Sequence, residues 1–208
     1  MNKLIASIES LKDNNISSVI SERIKEFSEL GELPIEKIFE ELCFCILTAN
    51  CAAISCIEVQ KRINIGFLNY SEEELRNKFK ECGYRFPNIR AKYIVEAREH
   101  ILDIEKKINS NMDEMMIREW LAKTIKGLGY KEASHFLRNI GFKNVAIIDF
   151  HIVDLLEKFG VIQKPKTLTN KKYIEIEGVL KKIGAFVNLD LDELDLYLWY
   201  METEEVLK

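Results

Sequence analysis

Glycine and proline are scarce, at 9 and 3 of 208 residues, about half of the roughly 12% they make up in an average chain. A fold of strands and tight turns needs more of both, so an all-helical protein is the first expectation. No apolar run approaches the ~18 residues of a membrane span. The start, Met-Asn-Lys followed by charge-interrupted sequence, has no secretory apolar stretch, so a cytoplasmic protein is expected. Charge of one sign is also lacking: 30 Lys and Arg stand against 34 Asp and Glu, a net −4. That excludes a wholly basic nucleic-acid coat while leaving a local basic face open. The five cysteines, Cys43, Cys45, Cys51, Cys56 and Cys82, contain no Cys-x-x-Cys knuckle. Buried free thiols are the first reading of them and a metal site the second.

What is present is a 47% hydrophobic chain, too apolar for disorder, patterned as a string of short helices. Ile35, Ile38, Phe39, Leu42 and Ile46 follow helical spacing behind Pro34. Ser71-Glu-Glu-Glu74 reads as a capping box, with Gly83 ending the helix it starts. Pro87 opens another helix, and Ile148 through Phe159 mark one stopped by Gly160. Thr169 through Ile183 and Asp190 through Met201 complete a compact bundle of about ten helices. Charge is uneven: Lys123, Lys126, Lys131, Arg138 and Lys143 face Glu132 alone, and Arg85, Arg90, Lys92 and Arg98 face Glu96. Two readings stay open, a positive face for a polyanion or ordinary solvated helix faces.

The most informative stretch runs from Ile125 to Gly141. A helix ending near Ile125 meets a Gly127-Leu-Gly129 hairpin, and a second helix begins at about Lys131. Two glycines around one apolar residue allow φ > 0 and close backbone approach, with Leu128 free to plug between the helices. The free N–H groups at the second helix start suit phosphate oxygens; a plain glycine-capped turn is the alternative. Glu132 breaks the Rossmann fingerprint, and no Gly-Lys-Ser/Thr follows for a P-loop. Lys131 lies where the positive end of the helix dipole disfavours an ammonium, and a lysine neutral part of the time can be a nucleophile. Asp149, behind the run Val145-Ala-Ile-Ile148, is a plain N-cap or an ionised partner for that amine. His135 reads as a structural imidazole.

Gly127-Leu-Gly-Tyr-Lys131-Glu-Ala-Ser-His-Phe-Leu-Arg-Asn139, followed by Val145-Ala-Ile-Ile-Asp149-Phe-His151, resembles the helix-hairpin-helix DNA glycosylases, and within them the archaeal-type 8-oxoguanine DNA glycosylase/AP lyases. Leu42-Cys-Phe-Cys-Ile-Leu-Thr-Ala-Asn50, Gly83-Tyr-Arg-Phe86, Arg90-Ala-Lys-Tyr-Ile94 and Asp195-Leu-Tyr-Leu-Trp-Tyr200 extend the match over nearly the whole chain. The resemblance implies an all-α, two-lobed helix-hairpin-helix bundle that flips 8-oxoguanine from double-stranded DNA. It implies attack by Lys131 on the sugar, a Schiff base and β-elimination, with Asp149 assisting. Phe86, Trp199 and Lys208 would hold the base; core packing is the alternative for the two aromatics. Gly127, Gly129 and His151 would hold phosphates, with or without a monovalent cation at the hairpin. No other cofactor is required, and the iron–sulfur cluster of related branches is excluded because no cysteine lies beyond Cys82.

A cytoplasmic, nucleoid-associated monomer without a membrane partner is expected. Residues 1–208 read as one compact unit. A central lobe is placed at 34–130, a second lobe at 1–33 with 131–208, and the helix-hairpin-helix at 117–140 near the junction. The chain departs from the family pattern at Phe150, usually basic, in Cys51–Glu58, where relatives carry a Gly-Gly pair and an arginine, and at Glu204-Glu205. A non-catalytic helix-hairpin-helix module and a helical protein–protein adaptor are the competing classes.

Overall fold

The fold was obtained as a computed structural model describing residues 1–208. It contains helices α1 (Asn2–Lys12), α2 (Ile16–Gly31), α3 (Ile35–Thr48), α4 (Ala53–Ile63), α5 (Gly66–Asn69), α6 (Glu72–Glu81) and α7 (Pro87–Ala97). A 3-10 turn, Arg98–His100, leads into α8 (Ile101–Ile108), α9 (Glu114–Thr124), α10 (Tyr130–Asn139), α11 (Phe150–Lys158), α12 (Asn170–Val187) and α13 (Leu191–Thr203). There is no strand. Thirteen α-helices against about ten expected reflect short elements such as the four-residue α5.

Local chemistry sets most of the boundaries. Ser71 caps α6 reciprocally: its hydroxyl accepts from the Glu74 N–H, and the Glu74 carboxylate accepts from the Ser71 N–H at 2.7 Å. Thr169 caps α12, which runs to Val187 rather than Ile183 because its stop is Asn188 in the left-handed region.

Two buried apolar cores divide the molecule. One gathers α3 to α10 and ends at Val145. The other gathers α1, α2 and α11 to α13 and resumes at Ala146. The boundary expected at 130/131 therefore moves: we infer that the lobes divide at 145/146. The reason is that Ala133, Phe136, Leu137 and Ile140 of α10 are buried with the first core. A hairpin of two helices shares one apolar seam, and a cut at 130 would strip it. Cys43, Cys45 and Cys56 are buried free thiols in the first core, and Cys51 and Cys82 are half-buried.

Buried ion pairs join the two cores. Arg118 of α9 is 2% exposed and forms a two-pronged pair with Glu177 of α12, its Nη2 donating to Oε2 at 3.0 Å. Glu177 Oε1 also accepts the Ala146 N–H at 2.9 Å, and the guanidinium lies over the Tyr130 and Tyr173 rings. Removing one partner leaves the other charge buried and uncompensated. Arg118→Met is expected to cost about 3–5 kcal/mol. Arg118→Met/Glu177→Gln, which removes both charges but keeps an acceptor for Ala146, should cost less. Urea denaturation of both variants checks this, and a double variant no better than the single would refute it.

Candidate active site

The hairpin between α9 and α10 is built on one left-handed residue. Gly127 has φ +90°, and a Cβ there would lie 2.7 Å from Tyr93 Cδ2 and 3.3 Å from Arg90 Nη1. Gly129 differs from expectation: its φ of −90° with ψ −172° is extended backbone open to any residue. Leu128 plugs into the first core as expected. The N–H groups of Tyr130, Lys131 and Glu132 donate to no protein acceptor, as at any helix start. The Gly129 N–H donates to Glu132 Oε2 at 3.1 Å, so a carboxylate already sits at this anion-receptive end.

A cleft of about 570 Å³ opens between the lobes. Its walls come from the end of α3 and the turn after it, one face of α10, the start of α11, α13 and the C-terminal segment. Lys131, Asp149, His151, Trp199 and Lys208 all line it; Phe86, Gly127 and Gly129 do not. Phe86 instead caps α7, half-buried, with the Arg85 and Arg90 guanidinium groups 4.9 and 5.8 Å from its ring.

Lys131 is 26% exposed, and its Nζ lies 3.6 Å from Glu132 Oε1; Asp149 is not within 4 Å of it. Asp149 takes the first of the two roles considered for it, the N-cap, and also faces the cleft. Its Oδ1 caps α11 by accepting the Ile152 N–H at 3.0 Å, while the carboxyl group lines the cleft with Lys131. Trp199 lies in the cleft wall rather than in a core, with His151 edge-on at 5.5 Å and with no hydrogen-bond partner for its buried Nε1.

Two further groups in the same walls were given no catalytic or binding role from the sequence. Asp195 pairs with Arg138 at 2.6 Å, yet burial outweighs the pair and Asp149 adds repulsion, so its carboxyl is pushed up to about 6. Its position one turn before Trp199 was the available signal. His135, one turn after Lys131, is buried as a structural imidazole should be, but its Nδ1 has no partner. Burial, then the charges of Arg138 and Lys131, hold it neutral.

The basic segments do not form one free face. Lys123 pairs with Glu119, Lys126 with Glu96, Lys131 with Glu132 and Arg138 with Asp195, which favours the solvated-face reading. Among the departures, Cys51 to Ile54 line the cleft, whereas Glu58 points to Lys61 at 3.1 Å on the surface. Phe150 is 70% exposed beside Asp149, and Glu205 borders the cleft.

An all-α, two-lobed body whose helix-hairpin-helix delivers an amine into the interlobe cleft, with a carboxylate across from it, is the architecture of helix-hairpin-helix DNA glycosylases. The chain belongs to the 8-oxoguanine DNA glycosylase family, whose model matches residues 20–189. It is 48% identical over 206 residues to the 8-oxoguanine DNA glycosylase/AP lyase of Korarchaeum cryptofilum, covering 99% of this chain and 98% of that one. To the enzyme of the same name from Methanocaldococcus jannaschii it is 50% identical, covering 99% of each. The crystal structure of the M. jannaschii 8-oxoguanine glycosylase/lyase in complex with 15mer DNA containing 8-oxoguanine matches with a TM-score of 0.95, over 99% of this chain and 100% of that one. The 8-oxoguanine DNA glycosylase of Thermotoga maritima, 37% identical, matches at 0.93 over 100% and 99%.

The two glycines should respond differently to substitution. Gly127→Ala, strained in φ and clashing with Tyr93, is expected to cost about 2 kcal/mol or more. Gly129→Ala, which needs only the flexible Glu132 side chain to move, should cost under about 1 kcal/mol. Equal losses in denaturation midpoint would contradict the turn geometry.

Proposed function

We propose that the chain removes 8-oxoguanine from duplex DNA and then cleaves the strand at the abasic site by β-elimination. The observation that carries this reading is the placement of Lys131 and Asp149 in one open cleft. The lesion nucleotide leaves the stack to enter it, because C1′ is out of reach inside the duplex. The neutral Lys131 amine attacks C1′, the glycosidic bond breaks, and the base departs with the bonding pair. The free oxygen of Asp149 opposes the positive charge that develops on the sugar and favours loss of the amine proton. Ring opening gives a Schiff base between Lys131 and C1′. Loss of a C2′ proton then expels the 3′ phosphate, and water releases the enzyme.

Trp199 offers a stacking face for the everted base, an interaction of ~1–3 kcal/mol per base, and Lys208 offers a cation to the same pocket. Phe86, at the start of α7 outside the cleft wall, would reach the base only after moving toward it. The free amides of Tyr130, Lys131 and Glu132, with Gly127 and Gly129 holding the turn, would take the phosphates, and His151 would assist. The carbonyls of Lys126, Gly127 and Leu128 accept no protein hydrogen bond; they would hold a monovalent cation, whose charge would favour a phosphate at the hairpin. The reading is of a monomer acting on double-stranded DNA, cytoplasmic and nucleoid-associated. No helix is long and apolar enough to cross a membrane.

Borohydride reduction of a reaction with 8-oxoguanine duplex is expected to trap a covalent complex, and Lys131→Gln to abolish trapping while sparing binding. Trapping at wild-type level by that variant would remove Lys131 from the role. Asp149→Asn, which keeps the cap, should slow excision by at least about a hundredfold while shifting stability by less than about 1 kcal/mol. Matched losses of rate and stability would reduce Asp149 to a cap.

A further inference from the structure

A chain of buried polar contacts runs behind the cleft from one lobe to the other. Arg138, paired with Asp195, also donates to Asn139 Oδ1 through Nε at 3.0 Å and Nη2 at 2.8 Å. Asn139 Nδ2 donates to Glu41 Oε1 at 2.6 Å. Glu41 Oε2 accepts from Gln60 Nε2 at 3.0 Å and from Lys208 Nζ at 2.7 Å. Gln60 Oε1 accepts a second hydrogen from the same ammonium, and Gln60 is itself fixed by donating to the Glu40 carbonyl at 3.1 Å.

Glu41 is only 1% exposed, in the middle of the most buried helix of the molecule. A carboxylate there is costly without a counter-charge, and a buried pair seldom adds more stability than apolar packing would. Its cation comes from 167 positions along the chain, and the residue that brings it lines the cleft. An ammonium has three hydrogens. Two are taken by Glu41 and Gln60, and the Phe44 ring lies 4.3 Å from the nitrogen. One N–H remains, on a nitrogen held from behind.

We propose that Glu41 and Gln60 are positioning residues for lesion recognition: they anchor the Lys208 amine so that its remaining N–H serves a carbonyl oxygen of the everted purine. This rests on the pocket role given to Lys208 above. An ammonium donates and never accepts, so the fixed amine selects for an acceptor on the base. An unanchored lysine would have to lose rotamer freedom each time a base entered.

The test compares two substrates in single-turnover reactions: a duplex with 8-oxoguanine, which uses the base pocket, and a duplex with a preformed abasic site, which has no base to recognise. Glu41→Gln should lower excision of 8-oxoguanine about tenfold, and lower it at least several-fold more than it lowers abasic-site cleavage. Gln60→Met, at a half-buried position, should show the same split at about threefold and carries the test should Glu41→Gln fail to fold. Combined with Lys208→Met, neither should add to the loss that Lys208→Met causes alone. Equal losses on the two substrates, or losses additive with Lys208→Met, would overturn the proposal and leave the network structural. A wild-type chain that cleaves abasic DNA but leaves 8-oxoguanine in place would instead overturn the base-excision reading, and this proposal with it.

Discussion

The left-handed turn at Gly127 is the constraint on which the site depends. It lets the chain reverse between α9 and α10 within five residues while Leu128 fills the seam between them. It also fixes the phase of α10. With that helix starting at Tyr130, Lys131, His135 and Arg138 fall on the cleft side at spacings of four and three, while Ala133, Phe136, Leu137 and Ile140 fall on the core side. A shift of one residue in the hairpin would rotate the amine by about 100° and bury it. The turn, the apolar seam and the nucleophile are thus one geometric decision.

The same helix carries the polar work of the interior. Its cleft face meets the second lobe through the Arg138–Asp195 pair and the first lobe through Asn139 and Glu41, while Arg118–Glu177 joins α9 to α12 nearby. Apolar packing is non-directional and sets the width of a cleft between two cores only loosely. Charged hydrogen bonds, demanding in distance and angle, can hold it instead.

The helices and their caps were legible in the sequence because their signals are local: Ser71 and Glu74, Pro87, Gly83 and Asp149 each act within a few residues of themselves. That Lys131 and Asp149 face one cleft was legible too, carried by a long motif. The lobe boundary was not, because the partner of the α10 apolar face is α3, some ninety positions earlier. The Asp195, Glu41 and Asn139 contacts span 57 to 167 positions, and nothing in a linear reading brings such residues together. Charge sums could not choose between the two readings of the basic segments, because the pairs that favour solvated faces are spatial: Glu119 stands one turn before Lys123, and Glu96 on α7 reaches Lys126. Phe86 came from resemblance alone, and its place among two arginines outside the cleft is a tertiary fact.

The cysteines of the first core have a bearing on the conditions in which oxidised guanine arises. Thiolates, not thiols, are what peroxides attack. Burial raises the Cys43, Cys45 and Cys56 thiols above their ordinary range, and packing keeps solvent from them. Three of the five cysteine sulfurs are therefore poor targets for the oxidants that scar the genome, while Cys51, in the cleft wall, and Cys82 are only half-shielded.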